Sequence, residues 1–352
     1  MSKNRTASYE RRNYLSANEV AKYLEITVAE IHQLVKEKQL KTKISTSGQM
    51  RFDVEDLKLL QTKKIIPSFV KSANYYSFNI NNTVQSIHIA DATQMNKIPD
   101  SSVHLMVTSP PYFNAKLYSS DPNVNDLGNI HDLNVWLEAI GNVWKEIYRV
   151  LQPGRKAFIN IMNLPISLKN GSFRSLNLVG KTIDLCESIG FIYKRDIIWH
   201  KTNGVRAHFG SFPYPGGILI NNMHEVILEF EKPALKTYRK YQHLTKDVKE
   251  ESRLDKNFWL SIKNTDVWTM KPEGSSDNRI HVAQFPLELP EKLIKAYSYI
   301  GETVIDPFGG SMTTLVAAMI NKRNGIAFEI DVQIALAGRN RIENFQVDMF
   351  SI

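Results

Sequence analysis

The fold is constrained most by a regular alternation of short apolar runs and helical patterns, which extends from Val84 towards the C-terminus. Seven strands are predicted within it, near Ile87–Ala90, Val103–Thr108, Ala157–Met162, Ile192–Trp199, Glu225–Phe230, Val304–Asp306 and Gly325–Ile330. Helices are predicted between them, including His131–Leu151 and Leu176–Ile189, each with one apolar face. This alternation predicts an α/β fold, in which helices cover both faces of a mostly parallel sheet.

The composition narrows the class of protein further. The chain has 352 residues, of which 43% are hydrophobic, enough for one large domain or two unequal ones. No run approaches the ~20 apolar residues of a membrane-spanning helix, so we expect no membrane insertion. The single Cys186 and the polar residues 1–12 favour a cytoplasmic protein without intramolecular disulfides. A net charge of +8 favours a polyanionic partner such as nucleic acid.

Residues 1–62 are predicted to form a separate small domain. Two consecutive helices are predicted from two capping boxes, Ser16 with Glu19 and Thr27 with Glu30. A hairpin is predicted at Lys41–Ser45 and Gln49–Phe52, and a third helix after Asp53. The pattern resembles a winged helix-turn-helix of the excisionase or MerR type, which implies contact with duplex DNA. A protein-docking or dimerising module is the alternative interpretation.

A linker is predicted at residues 63–82, where Pro, Ser and Asn residues occur without clear periodicity. The α/β domain is therefore predicted to span residues 83–352. We see no internal repeat and no low-complexity tract in the chain.

A glycine-rich turn joins two predicted strands near the C-terminus. The strand Val304–Asp306 leads into Pro307-Phe308-Gly309-Gly310-Ser311, and the next strand, Gly325–Ile330, contains Glu329. Such a βαβ unit is typical of a nucleoside-cofactor site, with the acidic residue suited to ribose hydroxyls. The G-x-G-x-x-G spacing of NAD and FAD sites is absent, and Asp306 would repel a pyrophosphate but attract an ammonium group. The unit therefore favours S-adenosylmethionine, whose α-amino group suits Asp306.

A second motif, Ser109-Pro110-Pro111-Tyr112, follows the predicted strand Val103–Thr108. Its two prolines stiffen an extended loop at the carboxyl end of a strand, where ligands bind in α/β sheets. The motif resembles the catalytic loop of amino-methylating DNA methyltransferases, in which Asp, Asn or Ser precedes Pro-Pro and Tyr or Phe. In that family the serine form usually accompanies methylation of cytosine N4.

The resemblance covers the chain from Asn82 to the C-terminus. Segments similar to those of the family occur in order at His88–Asp91, Ile98–Val103, Arg149–Gly154, Ile197–Lys201, His224–Pro233 and His281–Leu293. Because the catalytic motif precedes the cofactor motif, the chain resembles the permuted β-type arrangement of these Rossmann-like enzymes. The target-recognition region would then lie between the two motifs.

The resemblance also implies roles for individual residues. The catalytic residues would be Ser109, Pro110, Pro111 and Tyr112. The residues expected to hold S-adenosylmethionine are Asp306, Phe308, Gly309, Gly310, Ser311 and Glu329, with Asp91 and Ala92 near the adenine and Phe285 and Pro286 packing nearby. One position departs from the family pattern, because Met312 stands where a glycine is common. We expect Met312 to lie inside a helix, where it would be harmless.

The chemistry of the loop suits an exocyclic amine. Ser109 Oγ and the Pro110 carbonyl can accept the two amine hydrogens and so favour a tetrahedral nitrogen. The target base must leave the duplex, and Tyr112 is the expected stacking ring, with Phe113 as a wall of the pocket. Cytosine C5 methylation is excluded, because it needs a cysteine nucleophile and Cys186 lies on a predicted helix away from both motifs.

Two basic regions are candidates for DNA contact. Residues 233–268 form the candidate target-recognition region, with Arg239, Lys240 and Arg253, although interspersed acidic residues also fit a solvated helix. The second candidate is the loop His200–Gly217, with Lys201 and Arg206. We expect no metal site, because no Cys or His cluster accompanies His208.

The main hypothesis is a site-specific DNA methyltransferase that modifies cytosine N4 in double-stranded DNA, within a restriction-modification system. Adenine N6 is the close alternative, since a serine can serve either base. A protein or RNA amine methyltransferase is more distant, and a DNA-binding regulator with an inactive methyltransferase domain is a hypothesis of another class. The sequence leaves open a cognate restriction endonuclease and the choice between monomer and dimer.

Overall fold

The computed structural model describes residues 14–24, 40–44, 50–54, 75–80, 82–113, 127–167, 173–202, 220–273 and 285–349, together with Ile31, Val35 and Leu57. The chain divides into two compact units, one of residues 75–335 and one of residues 1–74 with 336–352. This division differs from the expected domain of residues 83–352 at both of its ends.

The N-terminal residues form a small sheet and one described helix. The strands β1 (Tyr14–Ser16), β2 (Lys43–Ile44) and β3 (Met50–Asp53) pair antiparallel in the order β1-β3-β2, and α1 spans Ala17–Leu24. The predicted hairpin is confirmed, with Lys43 opposite Arg51. The first capping box is confirmed as well, because the Ser16 amide donates to Glu19 Oε2 at 2.9 Å and the Glu19 amide to Ser16 Oγ at 3.4 Å.

The structure describes only single residues of the other two helices predicted in this domain. The second capping box and most of residues 28–38 and 55–62 lie outside the described residues. The described apolar side chains form a buried cluster of Leu15, Val20, Ile31, Leu40, Phe52, Val54 and Leu57. The winged helix-turn-helix therefore stays a prediction.

The larger unit is built on one sheet of nine described strands. Eleven strands are described in this unit: β4 (Tyr75–Ile80), β5 (Thr83–Ile89), β6 (Val103–Thr108), β7 (Leu151–Ile161), β8 (Leu164–Ser167), β9 (Phe173–Leu176), β10 (Ile192–Lys201), β11 (His224–Glu231), β12 (Val267–Met270), β13 (Thr303–Asp306) and β14 (Asn324–Glu329). The sheet order is β12-β10-β11-β7-β6-β13-β14-β5-β4, and β8 and β9 form a separate hairpin. All seven predicted strands are present, and the expected count of seven is corrected to nine.

Two strands of the nine-stranded sheet were not predicted, and they lie at its two edges; the strands of the β8-β9 hairpin were not predicted either. Strand β4 pairs antiparallel with β5, so residues 75–80 belong to the sheet and the predicted linker 63–82 cannot extend through them. Strand β12 pairs parallel with β10. Edge strands are exposed on one side and carry weak apolar patterns, as the alternating burial of β4 shows, so their sequences resemble loops.

Seven further helices are described along the larger unit and the C-terminus. They are α2 (Leu133–Val150), α3 (Leu178–Ile189), α4 (Lys246–Glu251), α5 (Lys256–Lys263), α6 (Glu288–Tyr297), α7 (Thr313–Ile320) and α8 (Val332–Met349). Asp132 caps α2 by accepting from the amides of Asn134 and Val135, and α3 ends at Gly190, whose φ is +117°. None of the described helices is long and apolar enough to cross a membrane.

Two buried clusters lie on opposite faces of the sheet. Alternate residues of one strand join different clusters, with Met106 in the first and Leu105 and Val107 in the second. The first cluster packs against Trp136 and neighbouring residues of α2 and α3, and the second against α6 and α7. Helices therefore cover both faces, as the sequence predicts.

The strand directions decide which loops meet. Strands β5, β14, β13, β6 and β7 run parallel, so all five end at one edge, which we call the carboxyl edge. Strand β11 is antiparallel to β7 and β10 is antiparallel to β11. The chain therefore leaves β10 after Lys201 at the carboxyl edge, and leaves β11 after Glu231 at the opposite, amino edge.

Candidate active site

The predicted catalytic loop lies at the carboxyl edge, directly after β6. Ser109 Oγ lies 3.1 Å from the backbone carbonyl of Asn160, at the end of β7, and 3.3 Å from Tyr112 Oη. Pro110 is buried, while Ser109, Pro111 and Tyr112 are partly exposed. The structure thus places the serine hydroxyl beside the tyrosine hydroxyl at an accessible strand end.

A buried polar cluster that the sequence analysis missed supports this loop. Glu225 on β11 is 8% exposed, and its Oε2 accepts from Tyr112 Oη at 2.7 Å and from Asn160 Nδ2. Its Oε1 accepts from Lys201 Nζ at 2.5 Å, which balances the buried charge. A polar residue at an otherwise apolar strand end was the available signal, since Asn160 interrupts the apolar run of β7 and Glu225 precedes that of β11.

Asp306 ends β13 inside the protein. It is 1% exposed, and its two oxygens accept from Thr108 Oγ1 and Thr314 Oγ1, both at 2.6 Å, and from the Phe308 amide at 3.0 Å. Burial raises the pKa of this carboxyl, and the three donors oppose the rise. The expectation that Asp306 presents its charge to a cofactor ammonium is thereby corrected, because the carboxylate joins β6 to α7 within the core.

A second part of the carboxyl edge, which we call the glycine corner, contains the glycine turn and the carboxylates of Asp91 and Glu329. The Gly310 amide donates to Glu329 Oε2 at 2.9 Å, and the Ala90 amide donates to the Glu329 carbonyl at 3.1 Å. Asp91 follows at the end of β5 and accepts from the Thr93 amide at 2.8 Å, beside the buried Ala92. The structure brings the predicted cofactor residues of β5, β13 and β14 to the same edge.

Met312 lies before the helix in which the sequence analysis expected it. It precedes α7 as its N-cap, with φ of +62° and ψ of +28°, and its side chain is fully buried. An added Cβ at Gly309 would lie 2.9 Å from Met312 Sδ and 2.9 Å from the Ala327 Cβ. The turn requires a left-handed residue at position 312, a conformation that glycine adopts without cost and methionine does not.

The predicted aromatic and proline residues are largely packed into the core. Phe113 is 7% exposed and its ring meets Trp136 edge-on at 6.2 Å, so it is a core residue rather than an exposed wall for DNA. Phe285 is 9% exposed in the second cluster, and Pro286 beside it is buried. Phe308 is partly exposed and meets Trp144 edge-on at 6.0 Å. Ser311 is buried, with its Oγ 3.0 Å from Thr313 Oγ1.

Three predicted DNA contacts lie away from the catalytic loop. Lys240 Nζ lies 3.3 Å from the Gly154 carbonyl near the start of β7, and Ser252, next to Arg253, accepts from the Ile300 amide before β13. Both contacts are at the amino edge, because the chain leaves β11 on that side. Arg239, exposed in the same segment, precedes Lys240. Arg206 lies outside the described residues, and Lys201 contacts Glu225.

A cluster of His104, His243 and Glu302 also lies at the amino edge, with its ligand atoms within 4.8 Å of one another. Glu302 is 2% exposed and pairs with the guanidinium of Arg155, which is equally buried. His104 Nδ1 accepts from the Thr303 amide at 3.1 Å. Since an arginine already neutralises the carboxylate, the cluster fits a buried ion pair better than a metal site.

Comparisons with known proteins agree with this arrangement. A family model described as DNA methylase, of the N6/N4 type, matches residues 103–338. The type II methyltransferase M.MjaI of Methanocaldococcus jannaschii is 33% identical over 272 residues, which cover 71% of this chain and 88% of the relative. M.MthZI of Methanothermobacter thermautotrophicus, also a type II methyltransferase, is 30% identical, covering 71% of this chain and 74% of the relative.

A solved structure shares the architecture. TTHA0409 of Thermus thermophilus, described as a putative DNA modification methylase and solved with S-adenosyl-L-methionine, is 31% identical with a TM-score of 0.59. The match covers 73% of this chain and 93% of TTHA0409. The fold and the two strand-end motifs define a methyltransferase that uses S-adenosyl-L-methionine. More specifically, the chain belongs to the N6/N4 DNA methylase family and is a DNA methyltransferase.

The residues of the glycine corner fit this cofactor. Asp91 and Glu329 are partly exposed carboxylates at neighbouring strand ends, and they can accept hydrogen bonds from hydroxyl or ammonium groups. Phe308 offers a partly exposed ring beside the glycine turn. Asn160 Oδ1, at the catalytic loop, accepts no hydrogen bond from the described residues and is a further acceptor there.

Proposed function

We propose that this protein methylates N4 of cytosine at a specific site in double-stranded DNA. The observation that carries the proposal is the Ser109 hydroxyl at the carboxyl edge, held between Asn160 and Tyr112 and next to the glycine corner. The serine form of the catalytic loop favours cytosine over adenine, because family members with this form usually modify cytosine. The type II relatives support a place in a restriction-modification system with a cognate endonuclease.

The amine is activated by acceptors at the catalytic loop. The lone pair of an exocyclic amine is delocalised into the ring, so the protein must localise it by binding the amine hydrogens. Ser109 Oγ accepts one hydrogen and the Pro110 carbonyl accepts the other, which favours a tetrahedral nitrogen. The cofactor, when bound, supplies an electrophilic methyl group. The base reaches the loop by leaving the duplex and stacking on the Tyr112 ring.

DNA contacts are proposed for segments that start and end at the carboxyl edge. The chain between Thr202 and Ile220 leaves β10 and returns to β11 on this side, and it contains Arg206. The expected contacts Arg239, Lys240 and Arg253 belong to the segment that begins at the amino edge, opposite the catalytic loop. The N-terminal domain is proposed as a second DNA-binding module.

The function is tested by incubating the protein with genomic DNA and labelled S-adenosylmethionine, followed by digestion and mass analysis of the nucleosides. We expect label in N4-methylcytosine. Label in N6-methyladenine would retain the mechanism and overturn the choice of base. No labelled nucleoside, despite calorimetric binding of the cofactor, would favour a regulator without methyltransferase activity.

The role of Ser109 is tested by substitution. Ser109→Ala removes one of two acceptors, so we expect kcat to fall on the order of 100-fold with unchanged cofactor affinity. Ser102→Ala is the matched control, because Ser102 lies at the other end of β6 and its hydroxyl donates only to the Pro99 carbonyl among the described residues. Equal activities of the two variants would remove Ser109 from the mechanism.

A further inference from the structure

We infer that Glu225 is a positioning residue of the methyl-transfer reaction, which sets the direction of the hydrogen bonds around Ser109. The inference rests on the proposed function, because it concerns the acceptor role of Ser109 towards the amine. Glu225 does not touch the substrate in this scheme. It acts through Tyr112 and Asn160.

Glu225 connects three strand ends with one carboxylate. Oε2 accepts from Tyr112 Oη at 2.7 Å and from Asn160 Nδ2, which ties the catalytic loop to the end of β7. Oε1 pairs with Lys201 Nζ at 2.5 Å, at the end of β10. The side chain of Glu225 is 11% exposed and that of Lys201 20%, so the pair is shielded from water and its charges are balanced.

A count of protons gives the direction of the hydrogen bonds. A tyrosine hydroxyl has one proton, and a carboxylate is a stronger acceptor than another hydroxyl. Tyr112 therefore donates to Glu225 and can only accept from Ser109, whose Oγ lies 3.3 Å away. The Asn160 carbonyl, 3.1 Å from Ser109 Oγ, is also an acceptor.

These hydrogen bonds determine the direction of the single Ser109 proton. Both neighbouring oxygens accept, so the Ser109 hydroxyl donates towards the protein. One Ser109 lone pair then faces Asn160 Nδ2, which lies 3.5 Å from Oγ, and the other is left for the substrate. Lone pairs are what the amine hydrogens of a target base require. The charge of Glu225 thus keeps Ser109 an acceptor for the substrate, without contact between Glu225 and the base.

Glu225→Gln is expected to reverse the direction of the hydrogen bond between Tyr112 and residue 225. Lys201 holds the amide oxygen, so the amide nitrogen faces Tyr112 and donates to its hydroxyl. The Tyr112 proton then turns to Ser109 Oγ at 3.3 Å or to the Asn160 carbonyl at 3.4 Å, and at Ser109 it competes with the amine for the remaining lone pair. We expect kcat to fall roughly 10- to 100-fold, with the KM and the calorimetric Kd for S-adenosylmethionine unchanged.

A double-variant cycle separates this role from a structural one. Tyr112→Phe keeps the stacking ring and removes the hydroxyl through which Glu225 acts. In the Tyr112→Phe background we therefore expect Glu225→Gln to lower kcat by less than roughly 3-fold. The matched control is Glu231→Gln, which removes a carboxylate of the same strand that pairs with Lys156 at 2.7 Å. We expect this control to keep the wild-type kcat.

A double variant in which both partners of the Glu225–Lys201 ion pair are uncharged, which we call the neutral pair, covers the case in which Glu225→Gln fails to fold. In Lys201→Met with Glu225→Gln no ammonium holds the amide oxygen, so the oxygen can face Tyr112 and Asn160 and restore the direction of the hydrogen bonds. We expect this double variant to fold, as measured by thermal unfolding, and to have a kcat roughly 10-fold or more above that of Ser109→Ala.

The outcomes distinguish this inference from the proposed function. If the unsubstituted protein methylates DNA but folded Glu225→Gln keeps its kcat, the positioning role is overturned and the proposed function stands. Additive effects of Tyr112→Phe and Glu225→Gln, or a neutral pair that folds without activity, also overturn the role. If the unsubstituted protein yields no methylated nucleoside, the proposed function and this inference fall together.

Discussion

At the scale of single residues, Met312 is the most unusual feature of the cofactor turn. Its left-handed backbone is paired with a fully buried side chain that packs against Gly309. A left-handed conformation costs a non-glycine residue about 1–2 kcal/mol. Because the side chain also fills space in the core, its packing offsets this cost.

This balance predicts that Met312→Gly is more stable than Met312→Ala, which is the reverse of the order expected within a helix. Met312→Gly and Met312→Ala both lose the buried side chain, at a cost of about 2–5 kcal/mol, but only alanine retains the left-handed strain. We expect Met312→Gly to be about 1 kcal/mol more stable than Met312→Ala in urea unfolding. At Met319, within α7, the same pair serves as the control and has the usual order, with alanine better by about 1 kcal/mol. The same order at both positions would contradict a left-handed Met312.

At the scale of elements, strand direction separates the two basic regions. The segment after β11 starts at the amino edge, whereas the segment between β10 and β11 starts and ends at the carboxyl edge. The two segments have similar basic character in the sequence. The edge of the sheet at which each segment begins distinguishes them.

The separation predicts different effects of two arginine substitutions on DNA binding. Arg206→Ala removes a cation from the segment whose two ends are at the carboxyl edge, so we expect weaker binding and a slope of log K against log salt that is lower by about 0.9 per lost phosphate contact. Arg239→Ala, its matched control, leaves both quantities unchanged. Salt titrations of DNA affinity by fluorescence anisotropy measure the two slopes. If only Arg239→Ala changed the DNA affinity and its salt dependence, the DNA contact would be at the amino edge and the proposal for Arg206 would be wrong.

At the scale of the whole molecule, two histidines, of which His88 is buried and His104 partly exposed, link stability to pH. Burial lowers the pKa of His88, which stacks on Phe328 with ring centres 4.6 Å apart, to about 4. Burial likewise lowers the pKa of His104 to about 4. The ordinary pKa of a histidine side chain is 6.5. The unfolded chain therefore binds more protons between pH 6.5 and 4.

Stability is accordingly predicted to fall as the pH is lowered through this window. The free energy of unfolding should decrease by at most about 1.4 kcal/mol per pH unit for each of these histidines. His88→Phe keeps an aromatic ring in the stack and removes the titrating group, so its slope should be smaller. His200→Phe, at an exposed position of β10, should keep the wild-type slope. Urea unfolding at several pH values measures the slopes, and equal slopes for all three proteins would refute the assignment to His88.

The sequence by itself determined the α/β class, all seven strands that it predicted, and the two motifs at strand ends. Local patterns carry this information, because buried strands need apolar runs and because Ser-Pro-Pro-Tyr and a glycine turn require particular backbones. The tertiary structure alone decided what depends on contacts between distant residues. It brought Glu225 to Tyr112 across 113 positions, enclosed Asp306, buried Phe113, and placed Lys240 at the edge opposite the catalytic loop. Local periodicity does not specify strand order and direction, and these two properties determine which strand ends share an edge.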